Sequence, residues 1–321
     1  MNFRGVVLAF ALTGVAGTAL AQAYPARPIR MIVPNPAGGA NDIVSRIVAQ
    51  KLGALLGQQI VMDNRGGAGG AIGAEIAAGA APDGHTLLAA TFATHTTIPH
   101  LHGKIAYDPR RGFAPIALWA VQYTMLTAHP AFPASTVKDL VAHARAKPGA
   151  INYASAGPGS TSDFTGRLFA RIADINITLV PYKGGGPAIT ALLSGEAHIN
   201  FGPIPATAAH VKSGRLKAIA VSGEARSVAM PAVPTVAESG LPGFATAAWV
   251  GLMAPAGTPR AIVDRLSTAT KTALDSAEVR EPLINAGAEP AYKSPQPFAE
   301  FVNAEYERYG RLVRELGLKK L

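Results

Sequence analysis

The chain is 321 residues long, carries 29 basic against 20 acidic side chains for a formal charge of +9, and contains no cysteine. The missing cysteine excludes disulfides, zinc–thiolate sites, thiol nucleophiles and a cysteine-linked lipid anchor, while the length allows two ordinary domains whose cores hold without such staples. Lys and Arg are scattered, with only Arg110-Arg111 and Lys319-Lys320 adjacent, and aromatics make up 7% of the chain, so the charge reads as solubility and attraction for anionic solutes and not as a nucleic-acid surface.

Residues 1–21 read as a secretory signal: Arg4 in the basic region, an apolar run from Val6, and Ala19-Leu20-Ala21 as an A-x-A cleavage site. The run is short for a bilayer span and ends in small residues. Cleavage after Ala21 would leave a periplasmic protein of 300 residues that begins at Gln22 and has a charge of +8, because only Arg4 is lost.

Along the rest of the chain, short β-branched runs alternate with amphipathic stretches. The pattern predicts strands at Ile29–Val33, Gln59–Met62, Thr86–Ala90, Ile151–Ala154, Ile177–Pro181, Ala197–Phe201 and Leu216–Val221. It predicts helices at Asp42–Leu56, Ala71–Ala78, Val137–Ala146, Ser162–Ala173, Gly186–Ser194 and Ala206–Ser213, with a nearly all-helical tail from Arg260. This alternation is that of an α/β fold with mostly parallel sheet. Sheet-like runs at Leu118–Ala128 and Ala247–Pro255 read as two crossings between domains. Lobe 1 is then discontinuous, residues 24–122 plus 250–321, and lobe 2 is residues 123–249.

The stretch Ile29–Ile47 carries the main functional signal. A buried-strand run, Ile29–Val33, breaks into Pro34-Asn35-Pro36-Ala37-Gly38-Gly39, and helical spacing resumes after Asn41 and Asp42, either of which is a candidate N-cap. Strand, glycine loop and helix N-terminus together present backbone N–H groups to an anion. The same pattern recurs at Ala156–Asp163 and Lys183–Pro187. It reads as a binding cleft for a small carboxylate, with no catalytic group required.

Other motifs fail their frames. Asn64–Gly73 (NRGGAGGAIG) has Ile72 where the third glycine of a dinucleotide fingerprint belongs, so it reads as a tight turn packed into the next helix. Tyr153–Gly157 (YASAG) approximates a nucleophile elbow, but Tyr153 replaces the first glycine; a serine hydrolase using Ser155, with His198 or His210 downstream, is the enzyme alternative. Ser155, Ser160, Thr161 and Ser162 read instead as donors to a bound anion. His95, His100 and His102 lack a nearby acidic partner and read as a polar surface loop, not a metal site. Tyr182–Pro187 lacks the phosphate-loop frame and again suits a carboxylate, with Lys183 at the rim.

Taken in order, PNPAGGANDIVSR, DNRGGAGGAIGAE, PDGHTLLAAT, YDPRRGFAPI, NYASAGPGSTSDFTGRLF, VPYKGGGPAITALLSGEAHINF, GRLKAIAVSGEARS, VPTVAESGLPGF and GLMAPAGTP resemble the Bug/TctC family of periplasmic solute-binding proteins. The resemblance covers essentially the whole chain after the signal. It implies a type II periplasmic-binding-protein fold, two α/β lobes with a ligand cleft between them, closing on an organic acid held by backbone amides and ordered waters. Carried onto this sequence, the implied ligand-binding residues are Asn35, Ala37, Gly38, Gly39, Asn41, Asp42, Thr94, Ser155, Gly159, Ser160, Thr161, Asp163, Tyr182, Lys183, Gly184 and Gly202. No catalytic residue, metal or cofactor is implied. Asn35 replaces a frequent aromatic of the family, Asp163 a frequent His, Arg167 a frequent Glu. Phe201-Gly202-Pro203 stands where many amino-acid-binding relatives have Phe-Asp. The absence of that carboxylate points to a mono- or dicarboxylate without an α-amino group. The implied partners are the membrane subunits of a tripartite tricarboxylate-type transporter, with the receptor itself a monomer. The alternative within the same fold is a ligand-sensing protein for a sensor kinase.

Overall fold

The computed structural model describes residues 24–157, 160–315 and 317. The signal-peptide reading and Gly159 lie outside the described residues.

Two sheets organise the chain. The first has six strands: β1 (Ile29–Val33), β2 (Ile60–Asn64), β3 (Thr86–Thr91), β4 (Phe113–Gln122), β10 (Ala248–Pro255) and β11 (Glu289–Lys293), in the order β11-β4-β10-β3-β1-β2. The second has five: β5 (Thr124–Ala128), β6 (Asn152–Ser155), β7 (Thr178–Pro181), β8 (Ile199–Pro203) and β9 (Lys217–Val221), in the order β7-β6-β8-β5-β9. β1 runs parallel to β2 and β3, and β6 parallel to β7 and β8. The expectation of mostly parallel sheet is corrected at the crossings. β4 and β5 are nearly one strand, interrupted at Tyr123, and β10 returns between β3 and β4, so the strands that pass between sheets pair antiparallel.

Each face of the first sheet has its own helix. Alternation along β1 sends Ile29, Met31 and Val33 to one side, where α1 (Ala40–Leu56) covers them with Val44, Val48, Leu52 and Leu56. Ile32 faces the other side, with Leu88, Ala90 and the small residues Ala74 and Ala77 of α2 (Ala71–Ala78). Ile43 and Leu55, also at helical spacing in α1, stay exposed on its outer side. In the second sheet Tyr153 and Phe201 pack toward α5 (Thr161–Ala173), while Ala154 meets Ala188 and Ala191 of α6 (Gly185–Ser194). The remaining helices of that lobe are α4 (Val137–Ala146) and α7 (Ile204–Lys212), and the short α3 (Ile98–Leu101) follows β3 in the chain.

The C-terminal stretch returns to the first sheet as α8 (Arg260–Asp275), α9 (Ala277–Asn285) and α10 (Pro295–Glu315). It is not all helix: β11 lies between α9 and α10 as an edge strand. Its Pro290 sits opposite Ala120, a position an edge strand tolerates because the missing N–H faces no second neighbour. Tyr309 of α10 is wedged between Phe92, just after β3, and Phe164 of α5, with ring centroids 4.7 Å away on each side. One helix of the first lobe thus contacts the first turn of α5 in the second. Among the described residues no helix is long and apolar enough to cross a membrane.

Candidate functional site

In an open α/β sheet the crevice lies at the carboxyl ends of parallel strands, where successive connections leave to opposite sides. Both sheets have such a point. From β1 the chain goes through α1 to β2, then through α2 to β3 on the other side of β1; from β6 it goes through α5 to β7, then through α6 to β8 on the other side of β6.

At the first point, the loop after β1 is held by a buried carboxylate. Asp42 Oδ2 accepts the Gly38 N–H at 2.8 Å and the Arg46 Nε–H at 2.9 Å, and its Oδ1 accepts from Asn64 Nδ2 at 2.9 Å. Asn64 Nδ2 also reaches the Asn35 carbonyl, and Asn41 Nδ2 donates to Asn35 Oδ1 at 3.0 Å. Burial alone would push the Asp42 carboxyl up, but the hydrogen bonds from Arg46, Asn64 and Gly38 outweigh it and hold the group below its ordinary value. Neither Asn41 nor Asp42 is the N-cap: α1 starts after Gly39, with no side-chain cap. Asp42 reaches back to the loop instead, leaving the first-turn amides without intrahelical partners beside the open Ala37-Gly38 segment. Gly38 has φ +78°, which favours glycine.

The glycine run 64–73 supports this loop from below. A Cβ on Gly73 would lie 2.9 Å from Pro34 Cα and 2.7 Å from the Arg65 carbonyl, and one on Gly70 would lie 2.9 Å from Thr94 Cγ2. Thr94 is itself fully buried: its hydroxyl donates to the Thr91 carbonyl at 3.0 Å and lies 2.9 Å from His95 Nδ1. His95 is not on a surface loop. It is fully buried in a π-helical turn, Ala93–Thr97, among Tyr107, Phe113 and Trp249, and desolvation lowers its pKa to about 3. His100 Nε2 meets the Tyr306 carbonyl, and among the described residues no group of three or more His, Asp or Glu side chains is placed to hold a metal.

At the second point, Ser160 caps α5. Its Oγ accepts the Asp163 N–H at 3.2 Å and donates to the Gly157 carbonyl at 2.7 Å. Ser162 Oγ accepts the Ala156 N–H at 2.8 Å. Ser155 Oγ is fully buried and accepts from Gly157 N at 3.3 Å; the described hydrogen bonds give it no histidine partner, and His198 Nδ1 is occupied by the Asn152 N–H. Asp163 is buried with Arg167 Nε at 3.1 Å from its carboxylate. The β7 loop joins this group through the Tyr182 N–H, which donates to the Ser155 carbonyl, while the Tyr182 hydroxyl turns outward to Glu196. Lys183 is exposed, and Gly184 has φ +110° at the start of α6.

Between the starts of α5 and α6 lies a pocket of about 250 Å³ lined by neutral residues, including Ser160, Thr161, Gly185, Asn200, Gly202 and Thr124. Of the residues expected from sequence, the pocket gathers Ser160, Thr161 and Gly202. Asn35, Ala37, Gly38, Gly39 and Asn41 form the first-lobe loop. Asp42, Thr94, Ser155 and Asp163 are buried behind their loops, where they shape backbone and do not face open space. Asn64, Thr124 and Asn200 were missed, while Ser162 and Gly185, read from sequence as part of the anion-binding loops, also line the pocket. Asn64 had a signal, as the polar residue ending a strand next to the one that carries the loop; Asn200 had none. A larger groove of about 570 Å³ runs along the outside of α1 toward Gln58 and Ile60 and touches neither glycine loop. The electrostatics favour the strand-end sites, where helix N-termini attract anions.

The sequence pattern of the family described as "Tripartite tricarboxylate transporter family receptor" (TctC) matches residues 44–318. Protein BugT of Bordetella pertussis is 36% identical over 310 residues, covering 96% of this chain and 95% of that protein. A solved R. palustris structure with adipate has a TM-score of 0.79 at 33% identity, covering 93% of this chain and 100% of the other. MatC from Rhodopseudomonas palustris with bound malate gives 0.73 at 35% identity, covering 90% and 100%. With this likeness spanning both sheets and both glycine-loop sites, the chain belongs to the TctC family of tripartite tricarboxylate transporter receptors.

Proposed function

We propose that this protein is a periplasmic, non-enzymatic receptor that captures a small organic carboxylate between two lobes, residues 24–122 plus 250–321 and residues 123–249. It then delivers the ligand to the membrane subunits of a tripartite tricarboxylate-type transporter. The observation that carries the reading is the paired geometry: each sheet ends, at its switch point, in a glycine loop and a helix N-terminus. Family relatives solved with adipate and with malate support the ligand class.

In this reading the unpaired amides of the first turn of α1 hold one carboxylate, with Asn35, Ala37, Gly38, Gly39 and Asn41 forming the wall, since the Gly38 and Gly39 N–H groups are taken by Asp42 and the Pro36 carbonyl. Ser160, Thr161, Gly184 and Gly202 receive the rest of the ligand, and Lys183 adds positive charge at the rim. Asp42, Thr94, Ser155 and Asp163 hold the loops, and Tyr182 ties the β7 loop to them. Ligand contact with both lobes biases the open–closed equilibrium toward the closed form, which the transporter recognises. The test is a thermal-shift screen against citrate, C4–C6 dicarboxylates, benzoates, phthalates, nicotinate and acidic amino acids. A ligand at a hundredfold excess over its Kd adds about 2.7 kcal/mol, a shift of several degrees. An upward shift with a non-amino carboxylate is expected, and silence across the panel contradicts the assignment.

A further inference from the structure

The pocket at the second switch point contains a detail that narrows the ligand class. β6 and β8 pair only at Tyr153 and Ile199. Beyond that pair side chains span the gap: Asn200 Nδ2 donates to the Ala154 carbonyl, and the Phe201 N–H donates to the Tyr153 hydroxyl at 3.2 Å. The carbonyl of Ala154 accepts only, so it fixes which end of the Asn200 amide is nitrogen and which is oxygen. The oxygen, Oδ1, is buried and among the described residues has no hydrogen-bond partner, in a side chain only 2% exposed. Native interiors rarely leave such an acceptor unmet. Gly202, two residues on and on the same face, contributes no side chain; a Cβ there would sit 2.7 Å from Oδ1. Both residues line the pocket.

An amide oxygen accepts and cannot donate, so it disfavours a carboxylate oxygen and favours an O–H. The N-termini of α5 and α6 at the same pocket favour negative charge, and no Asp, Glu, Lys, Arg or His lines it, so an ammonium has no counter-charge there. The volume of about 250 Å³ falls below the roughly 300–1,000 Å³ of drug-sized sites. We propose that Asn200 Oδ1 receives a hydroxyl of the ligand, which makes the ligand a small hydroxycarboxylate. This rests on the carboxylate-receptor reading above. Thr124 Oγ1, also buried and without a partner among the described residues, lines the same pocket from the other face of the sheet; as a hydroxyl it both donates and accepts, so it does not discriminate between ligand groups.

The test is calorimetry with matched pairs that differ by one hydroxyl: malate and succinate, citrate and propane-1,2,3-tricarboxylate, 2-hydroxyadipate and adipate. In at least one pair the hydroxy acid should bind about tenfold more tightly, the scale of one buried acceptor gaining its partner. Asn200→Leu should bring the ratio close to one. Gly202→Ala, whose Cβ would lie 2.7 Å from Oδ1 and crowd the acceptor, should do the same if Asn200→Leu fails to fold. Equal affinity within every pair, or a ratio that survives in the folded variants, overturns the hydroxyl assignment and leaves the receptor reading standing. Silence from all six acids overturns the hydroxyl assignment, and silence across the wider carboxylate panel overturns the receptor reading as well.

Discussion

Asp42 shows how a charged residue next to an anion site serves it without touching the anion. Its carboxylate is consumed by Gly38, Arg46 and Asn64, so it fixes the loop beside the unpaired first-turn amides of α1. Asp42→Ala would leave the Gly38 N–H and one N–H of the Asn64 amide unmatched, and should cost about 1–3 kcal/mol in chemical denaturation and weaken carboxylate binding. Because its folded pKa is depressed, the Asp42 contribution is present above the ordinary carboxylate range and is lost as pH falls through it. His95 acts at higher pH. Buried neutral with a folded pKa near 3 against 6.5 unfolded, it contributes fully above 6.5 and loses its contribution as pH falls from 6.5 toward 3. The loss is at most about 1.4 kcal/mol per pH unit. Denaturation curves at pH 7 and pH 5 should show a flatter dependence in His95→Leu than in the parent; equal slopes would contradict the burial argument. Asp42 was readable as a polar residue at a helix start. Its partners were not, because Asn64 and Arg46 reach it only after β2 is laid beside β1 and α1 is wound.

At the scale of elements, β1 with α1 and β6 with α5 were legible because apolar runs, glycine breaks and 3.6-residue spacing agree there. β11 was not. Its five residues, EPAYK, lack β-branched alternation and carry a proline, and they become a strand only because β4 offers an edge. The glycine run 64–73 was legible as a turn, but its purpose depends on how close Pro34 and Thr94 come. Gly73→Ala forces a Cβ against backbone at 2.7–2.9 Å, and should lower Tm and weaken ligand binding together, since the displaced atoms belong to the first-lobe loop. In α10, Tyr309 fills the space between Phe92 and Phe164, while its buried hydroxyl has no partner among the described residues. Tyr309→Ala should cost about 3–5 kcal/mol. Tyr309→Phe, which keeps the ring and removes the unmatched hydroxyl, should leave stability unchanged or slightly raised in urea titrations.

For the whole molecule, the α/β class and two-lobed plan could be read from sequence, since they follow from element order and the two crossing runs. The direction of the crossing strands could not, because pairing partners far apart in the chain decide it. The central claim is that one carboxylate is held by glycine loops from both lobes. Gly39→Val places bulk at the first-lobe loop, with only the Pro36 carbonyl at 3.2 Å to adjust, and Gly185→Val places it at the second-lobe pocket, where a Cβ meets nothing within 4 Å. The most direct measurement is a calorimetric titration of the parent and of these two variants with the best-binding carboxylate, each variant first checked for an unchanged Tm without ligand. Loss of binding in both folded variants is the predicted result. Parental affinity in either one would remove that lobe's loop from the site and contradict the account.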